Sequence, residues 1–293
     1  MRVFVTGASG GIGSAVVPEL LAAGHEVLAL ARSESSAKAV TAAGATPLSG
    51  SLTDPASLRA GAAEADGVIH LAFGNDFTDF DRCVAEEALA VEAFGDALKG
   101  TGKPLVIASG TPAVPGRAST EEDQGPLEGP ASGRFRNAQA ALALAAQDVR
   151  SGVVRLPRSV HDEGGPYGFA GFLIRAARQT GVSGYVGDGA QRWPAVHRKD
   201  AARLFRLVLE QGEPGTVAHA VGDEGDSMLT IAGTIAAELG LETKAVPAEG
   251  FGFLGTIFGF DQPSTATLTR ERFGWEPTHP SLLADLAAGN YPA

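Results

Sequence analysis

The sequence predicts an α/β chain built on a doubly wound parallel sheet, with a smaller C-terminal domain for substrate. Three observations lead there. Short apolar runs bounded by glycine or proline recur through the first half. Stretches rich in helix-forming residues separate them. The first apolar run ends in a glycine cluster that opens a helix. Continuous apolar runs fit strands buried on both faces. Alternation of strand and helix gives right-handed βαβ units.

In chain order, Val3–Thr6 reads as the first strand and Ser14–Ala23 as the helix after it. Glu26–Ala31 and Gly67–Ala72 are further strands. Arg82–Lys99 is rich in Ala, Glu and Leu, which favour helix. Leu105–Ser109 returns to strand. Gly110–Gly133 carries many Pro, Gly, Ser and Glu residues and reads as a long surface loop, a type often functional. Arg134–Gln147 is helical and Gly152–Leu156 is a strand. Beyond Pro157 the chain reads as irregular and glycine-rich, with helices at Ala201–Glu210 and Leu229–Leu239. The expected division is a dinucleotide-binding domain over 1–157, to which a segment of about 194–222 returns, and a mostly substrate-binding domain over 158–293.

Composition narrows the function. The chain has 293 residues, 44% of them hydrophobic, enough for a full core. Its 23 basic against 34 acidic residues give a net charge of -11. That balance disfavours nucleic acid, whose phosphates need a basic face. It disfavours an anionic membrane as well, and no apolar run reaches the length of a span. Cys83 is the only cysteine, which rules out an internal disulfide and a zinc site of several thiolates. No metal is expected. No secretory signal is visible, so the expectation is a cytoplasmic monomer or homodimer acting on a small molecule.

The glycine cluster is a phosphate cradle in its spacing. Gly7 ends the first strand in a tight turn, Gly10 lets the backbone approach a pyrophosphate, and Gly13 lets the helix pack on the sheet. Ser9, Gly11 and Ile12 complete the loop. This is the pattern of a Rossmann-type dinucleotide site, and it follows a strand and opens a helix as the mechanism requires. Arg32 closes the second strand, where an arginine pairs with the 2′-phosphate of NADP. Ser33 adds a hydroxyl there, and Glu34 a nearby opposing charge. NADPH is the expected cofactor ahead of NADH.

From these residues onward the chain resembles the short-chain dehydrogenase/reductase superfamily, in its extended or atypical branch related to sugar epimerases. "TGASGGIG" resembles that superfamily's TGxxGxxG loop. "GSLTDPASL" resembles the segment lining the adenine, which assigns Ser51 and Leu52 to the cofactor, with Ser51 where the family has an aspartate. "DGVIHLAF" resembles the fourth strand, with Leu71, Ala72 and Phe73 at the ribose. "LVIASGTPAV" resembles the fifth strand; Thr111 matches its catalytic Ser/Thr, and Ser109 lies two residues earlier. "VVRLPRSVHDEG" resembles the stretch beside the nicotinamide, which assigns Pro157 and Ser159 to the cofactor. "GYVGDGAQRWPAVHRKDAARLF" and "RFGWEP" continue the resemblance almost to the end.

One departure bears on the chemistry. The family's catalytic tyrosine, with a lysine four residues on, is absent. Arg134 falls near the tyrosine position and Ala138 near the lysine. Arg134 itself reads first as an exposed helix arginine, with binding of an anionic substrate group as the alternative. Carbonyl reduction needs a proton as well as a hydride, so another donor is expected. His161, placed beside the nicotinamide by the resemblance, is the first choice and Tyr167 the second. A histidine donor predicts activity falling as pH rises through about 6 to 7.5. His197 matches a family histidine that is usually structural. Three readings follow: an NADPH-dependent reductase of an apolar carbonyl, imine or enone; an NADP-binding sensor without turnover; and a non-redox isomerase or lyase on the same fold.

Overall fold

The computed structural model describes residues 1–74, 79–129, 132–163, 165, 167–252, 254–289 and 291. Gly164 and Pro166 of the glycine-rich stretch, and Pro130 and Ala131 of the long loop, lie outside them. The chain divides into two compact units. The first comprises Met1–Gly110, Gly125–Arg155 and Ala202–Ala218; the second comprises Thr111–Gln124, Leu156–Ala201 and His219–Ala293.

The first unit runs β1 (Arg2–Thr6), α1 (Gly13–Ala22), β2 (Glu26–Ala31), α2 (Glu34–Ala42), β3 (Thr46–Ser49), α3 (Pro55–Glu64), β4 (Gly67–His70), α4 (Phe80–Leu98), β5 (Pro104–Gly110), α5 (Ser132–Ala143) and β6 (Arg150–Leu156). The second contributes β7 (Ser159–His161), α6 (Gly168–Thr180), β8 (Val182–Val186) and β9 (Arg192–His197). Helix α7 (Arg198–Gln211) and strand β10 (Thr216–His219) lead through the returning segment. Then come β11 (Asp223–Ser227), α8 (Met228–Leu239), β12 (Glu242–Val246), α9 (Leu254–Phe258), α10 (Thr267–Phe273) and α11 (Leu282–Ala287).

Seven strands form one sheet in the order β10-β6-β5-β4-β1-β2-β3. This is the Rossmann-type doubly wound arrangement. Strand β1 pairs in parallel with β2 on one side and β4 on the other. The order reverses between β1 and β4, and in such sheets ligands bind in the crevice outside the carboxyl ends of those strands. The apolar runs behave as their composition dictates: Val3, Phe4, Val5, Val68 and Ile69 are fully buried. Helix α4 starts at its cap Asp79, whose carboxylate accepts the Arg82 N–H. Its buried stripe of Cys83, Glu87, Ala90, Val91, Phe94 and Leu98 follows helical periodicity and packs into the core of the unit.

The second unit is more regular than its composition suggests. Strands β11, β9 and β7 form a three-stranded sheet, and β12 pairs with β8. The expectation of an irregular chain beyond Pro157 is thereby corrected. β7 has three residues and β11 is wholly polar apart from Gly225, so no apolar run announces those two. The loop from Thr111 is tied down within its unit. Ser119 bridges to Ser264, and Glu121 accepts both the main-chain N–H and the hydroxyl of Thr269. Among the described residues no helix is long and apolar enough to cross a membrane.

Candidate functional site

The glycine turn is built by close approach. Gly7 takes a left-handed φ of 71°, and a Cβ there would lie 2.7 Å from the Ala72 nitrogen. A Cβ on Gly13 would overlap the Gly7 carbonyl oxygen and lie 2.7 Å from the Ala8 Cα. Gly10 is different. Among the described residues a Cβ there would meet only the Gly7 oxygen, at 3.1 Å, which leaves open space beside it. Ser9, Gly10 and Gly11 are exposed and Ile12 is half-buried. No side chain caps the first turn of α1, which Ile12 precedes. These residues fit a dinucleotide pyrophosphate: a bare loop, a close turn and an uncapped helix start, together at a carboxyl strand end.

At the end of β2, Arg32 is exposed and has no ion-pair partner among the described residues. Glu34 pairs instead with Lys38 at 2.7 Å. Ser33 caps α2: its hydroxyl accepts the Ser36 N–H in a capping box. That hydroxyl is a helix cap first, which sequence reasoning did not see. Ser51 and Leu52 are half-buried between β3 and α3, with the Ser51 hydroxyl 2.9 Å from that of Thr53.

At the end of β4, His70 Nδ1 and Thr6 Oγ1 share a hydrogen bond of 2.7 Å, and Thr6 Oγ1 also accepts the Ala72 N–H. The imidazole is buried, which lowers its pKa to about 4, so it is neutral. Its Nε2 has no partner among the described residues. Leu71, Ala72 and Phe73 follow, all half-buried. The Phe73 ring carries the Arg134 guanidinium 4.2 Å from its centroid. Arg134 is thus no free surface arginine, and that expectation is corrected. Its Nη2 donates to Glu87 Oε1 and to the Ala108 carbonyl, both at 2.9 Å. Glu87 is 2% exposed and also accepts from Asn137 Nδ2. Ser109, the next residue along β5, is buried with its Oγ unpartnered among the described residues. The Glu87–Arg134 pair was missed because its members lie 47 positions apart.

The second unit holds the other expected residues. Thr111 is buried; its N–H donates to the Leu156 carbonyl, and Gln262 Nε2 donates to its carbonyl and, at 3.4 Å, to its Oγ1. That leaves the Thr111 O–H free to donate elsewhere. Pro157 and Ser159 are buried, with Ser159 Oγ accepting the Ala170 N–H. His161 and Tyr167 converge on α11: His161 Nδ1 lies 2.6 Å from the Asp285 carboxylate, and the Tyr167 hydroxyl donates to the Asp285 carbonyl. Both side chains are almost completely buried. Burial lowers the His161 pKa to about 4, leaving little imidazolium at neutral pH. The expectation of a His161 donor titrating near 6 to 7.5 is corrected on that ground, and Tyr167 is committed to the helix beside it. His197 stacks on His279 at 4.5 Å. Ligand-type atoms of His197, Asp200 and His279 lie within 4.8 Å of one another. The Asp200 oxygens already accept the Thr278 and His279 N–H groups, which makes that carboxylate a loop anchor.

Comparison with known proteins adds four findings. The model of the NAD dependent epimerase/dehydratase family matches residues 3–221. An uncharacterized protein of Schizosaccharomyces pombe is 43% identical over 297 residues, 99% of this chain and 100% of its own. A 2-alkyl-3-oxoalkanoate reductase of Stenotrophomonas maltophilia is 29% identical over 225 residues, 73% of this chain and 67% of its own. Among solved structures, the UDP-glucose 4-epimerase of Thermotoga maritima with UDP-glucose has a TM-score of 0.79 at 20% identity, covering 99% of this chain and 97% of that one. At that identity the likeness is one of fold.

Proposed function

This chain belongs to the NAD dependent epimerase/dehydratase family, and we propose that within it the protein is an NADPH-dependent oxidoreductase reducing the carbonyl of an apolar small molecule. The observation that carries the reading is the glycine cradle at the β1/β4 switch point, where Gly7 and Gly13 permit the close turn and Gly10 borders open space. The cradle and the first turn of α1 would hold the pyrophosphate. Arg32 would meet the 2′-phosphate. A bound reduced nicotinamide would supply the hydride for the carbonyl carbon. The likeness to a reductase whose name gives a 2-alkyl-3-oxoalkanoate supports a carbonyl substrate with an apolar chain.

The residues of the chain divide the remaining work. The Thr6–His70 hydrogen bond fixes the strand ends beside the cradle without adding charge. Within the second unit Gln262 holds Thr111, the residue that matches the family's catalytic Ser/Thr. The His161–Asp285 pair and Tyr167 hold β7 and α11 together and position the main chain of the second unit. Titration of the protein with NADPH and with NADH, read by cofactor fluorescence, tests the cofactor. Consumption of NADPH across ketones, aldehydes, imines and enones tests the reaction. Tight NADPH binding with no consumption on any of them would leave a sensor as the better reading.

A further inference from the structure

Arg134 is held in place far more firmly than a helix-surface arginine needs to be. Its Nη2 bridges Glu87 Oε1 and the Ala108 carbonyl, its Nε reaches Glu87 Oε2 at 3.5 Å, and the Phe73 ring covers its face. Glu87 is fixed in turn by Asn137. The acid is sealed in the interior, whereas the arginine side chain is 26% exposed. Nη1, with two N–H groups, has no partner among the described residues. Phe73 follows β4 and Ala108 lies near the carboxyl end of β5, so the guanidinium touches the carboxyl-end region of two strands on one side of the switch point. The buried hydroxyl of Ser109, unpartnered among the described residues, is one residue past the carbonyl that Arg134 holds.

The charge arithmetic says what this arrangement suits. Glu87 cancels much of the guanidinium's long-range charge, so what the site offers an oxygen is direct contact with its N–H groups. Fixed N–H donors still serve an oxygen whose charge grows during reaction, because they need no reorganisation at that moment. We propose that Arg134 Nη1 binds the reacting carbonyl oxygen of the substrate and stabilises the oxyanion formed there, the proton then coming from water. The proposal rests on the oxidoreductase reading. In the balanced step, hydride from the reduced nicotinamide cofactor adds to the carbonyl carbon and the C=O π pair moves to oxygen, held by Nη1. Water then protonates the oxygen, and the hydroxide left behind is neutralised by solvent. Arginine keeps its own protons throughout. Ser109 is the natural second donor.

The test uses an oxyanion probe that needs no turnover. 4-Nitrophenol is titrated against the full chain in the presence of NADP+, and its ionisation is read from its visible absorbance. The wild-type protein shifts the bound phenol toward phenolate. Arg134→Met combined with Glu87→Gln, which removes both charges together, abolishes the shift; Arg134→Lys, which keeps the ion pair but loses the fork, abolishes most of it. Carbonyl turnover in both variants falls by roughly 10²–10³-fold, the usual cost of one oxyanion donor, and NADPH affinity is unchanged. A wild-type protein that leaves the phenol's ionisation alone, or folded variants with wild-type ionisation and turnover, overturns the role of Arg134. Failure of the wild-type protein to bind NADPH strikes the oxidoreductase reading instead, and the phenol titration of the protein without cofactor still judges the arginine.

Discussion

His70 illustrates how one side chain sets a pH limit. Its folded pKa, about 4, lies below the ordinary imidazole value of 6.5 because burial excludes water from the ring. As pH falls through 6.5 the unfolded chain takes up a proton that the folded chain refuses until about 4. The stability contribution is therefore complete above 6.5 and lost as pH falls to the folded value. The size is about 3 kcal/mol, from about 1.4 kcal/mol per pKa unit. His70→Asn, which keeps a neutral hydrogen-bonding group beside Thr6, should unfold less steeply with acid. Urea midpoints at pH 7 and pH 5 measure this; equal losses in both proteins would refute it. Arg32 gives a second prediction at this scale. Arg32→Ala should weaken NADPH binding by about 1–3 kcal/mol, the scale of a charge-assisted contact, and leave NADH binding nearly unchanged. Equal weakening of both would remove the 2′-phosphate role.

The turn from β1 to α1 makes opposite predictions for two of its glycines. Gly13→Val drives a side chain into the Gly7 carbonyl and the Ala8 main chain, and should prevent the unit from folding. A Cβ on Gly10 meets only one atom among the described residues. Gly10→Val should keep the circular dichroism and melting temperature of the wild-type protein while abolishing cofactor binding, since the side chain stands in the pyrophosphate's path. A folded Gly10→Val protein with unchanged affinity would place the cofactor elsewhere. Elements such as β1, β2, β4 and β5 were legible because strands buried on both faces must be apolar throughout. Strand β3 was not, because Thr46–Ser49 is an edge strand with largely exposed side chains. The glycine loop was legible because its function is local in sequence. The environment of Arg134 was not, since its partners Glu87 and Ala108 come from elements that meet only in the fold. Asp285, the partner of His161, lies 124 positions away from it.

In the molecule as a whole, the first unit depends on a late segment. Arg206 pairs with Glu19 and Glu210 with His25, while Gly215 donates to the Ser151 carbonyl. Leu204, Phe205, Val208 and Leu209 are buried. A fragment ending at 157 loses all of these and leaves β6 as an unpaired edge. It should show no cooperative unfolding in urea and should aggregate, whereas the full chain unfolds cooperatively. A soluble, cooperatively folded fragment would mean that the segment decorates the unit and does not complete it.

That dependence acquires a meaning in time on the ribosome. Strand β10 is the neighbour of β6 in the sheet, yet it follows β6 in the chain by the whole of β7 to α7. At synthesis rates of about 5–20 residues per second, β6 emerges several seconds before the strand that covers it. Throughout that interval the nascent chain carries an open sheet edge flanked by apolar surface, the feature that chaperones recognise and that neighbouring nascent chains on a polysome can capture. Slow translation ahead of Thr216 would prolong the exposure, and the yield of native protein in the cell would then depend on codon choice and chaperone supply as well as on the stability of the finished fold.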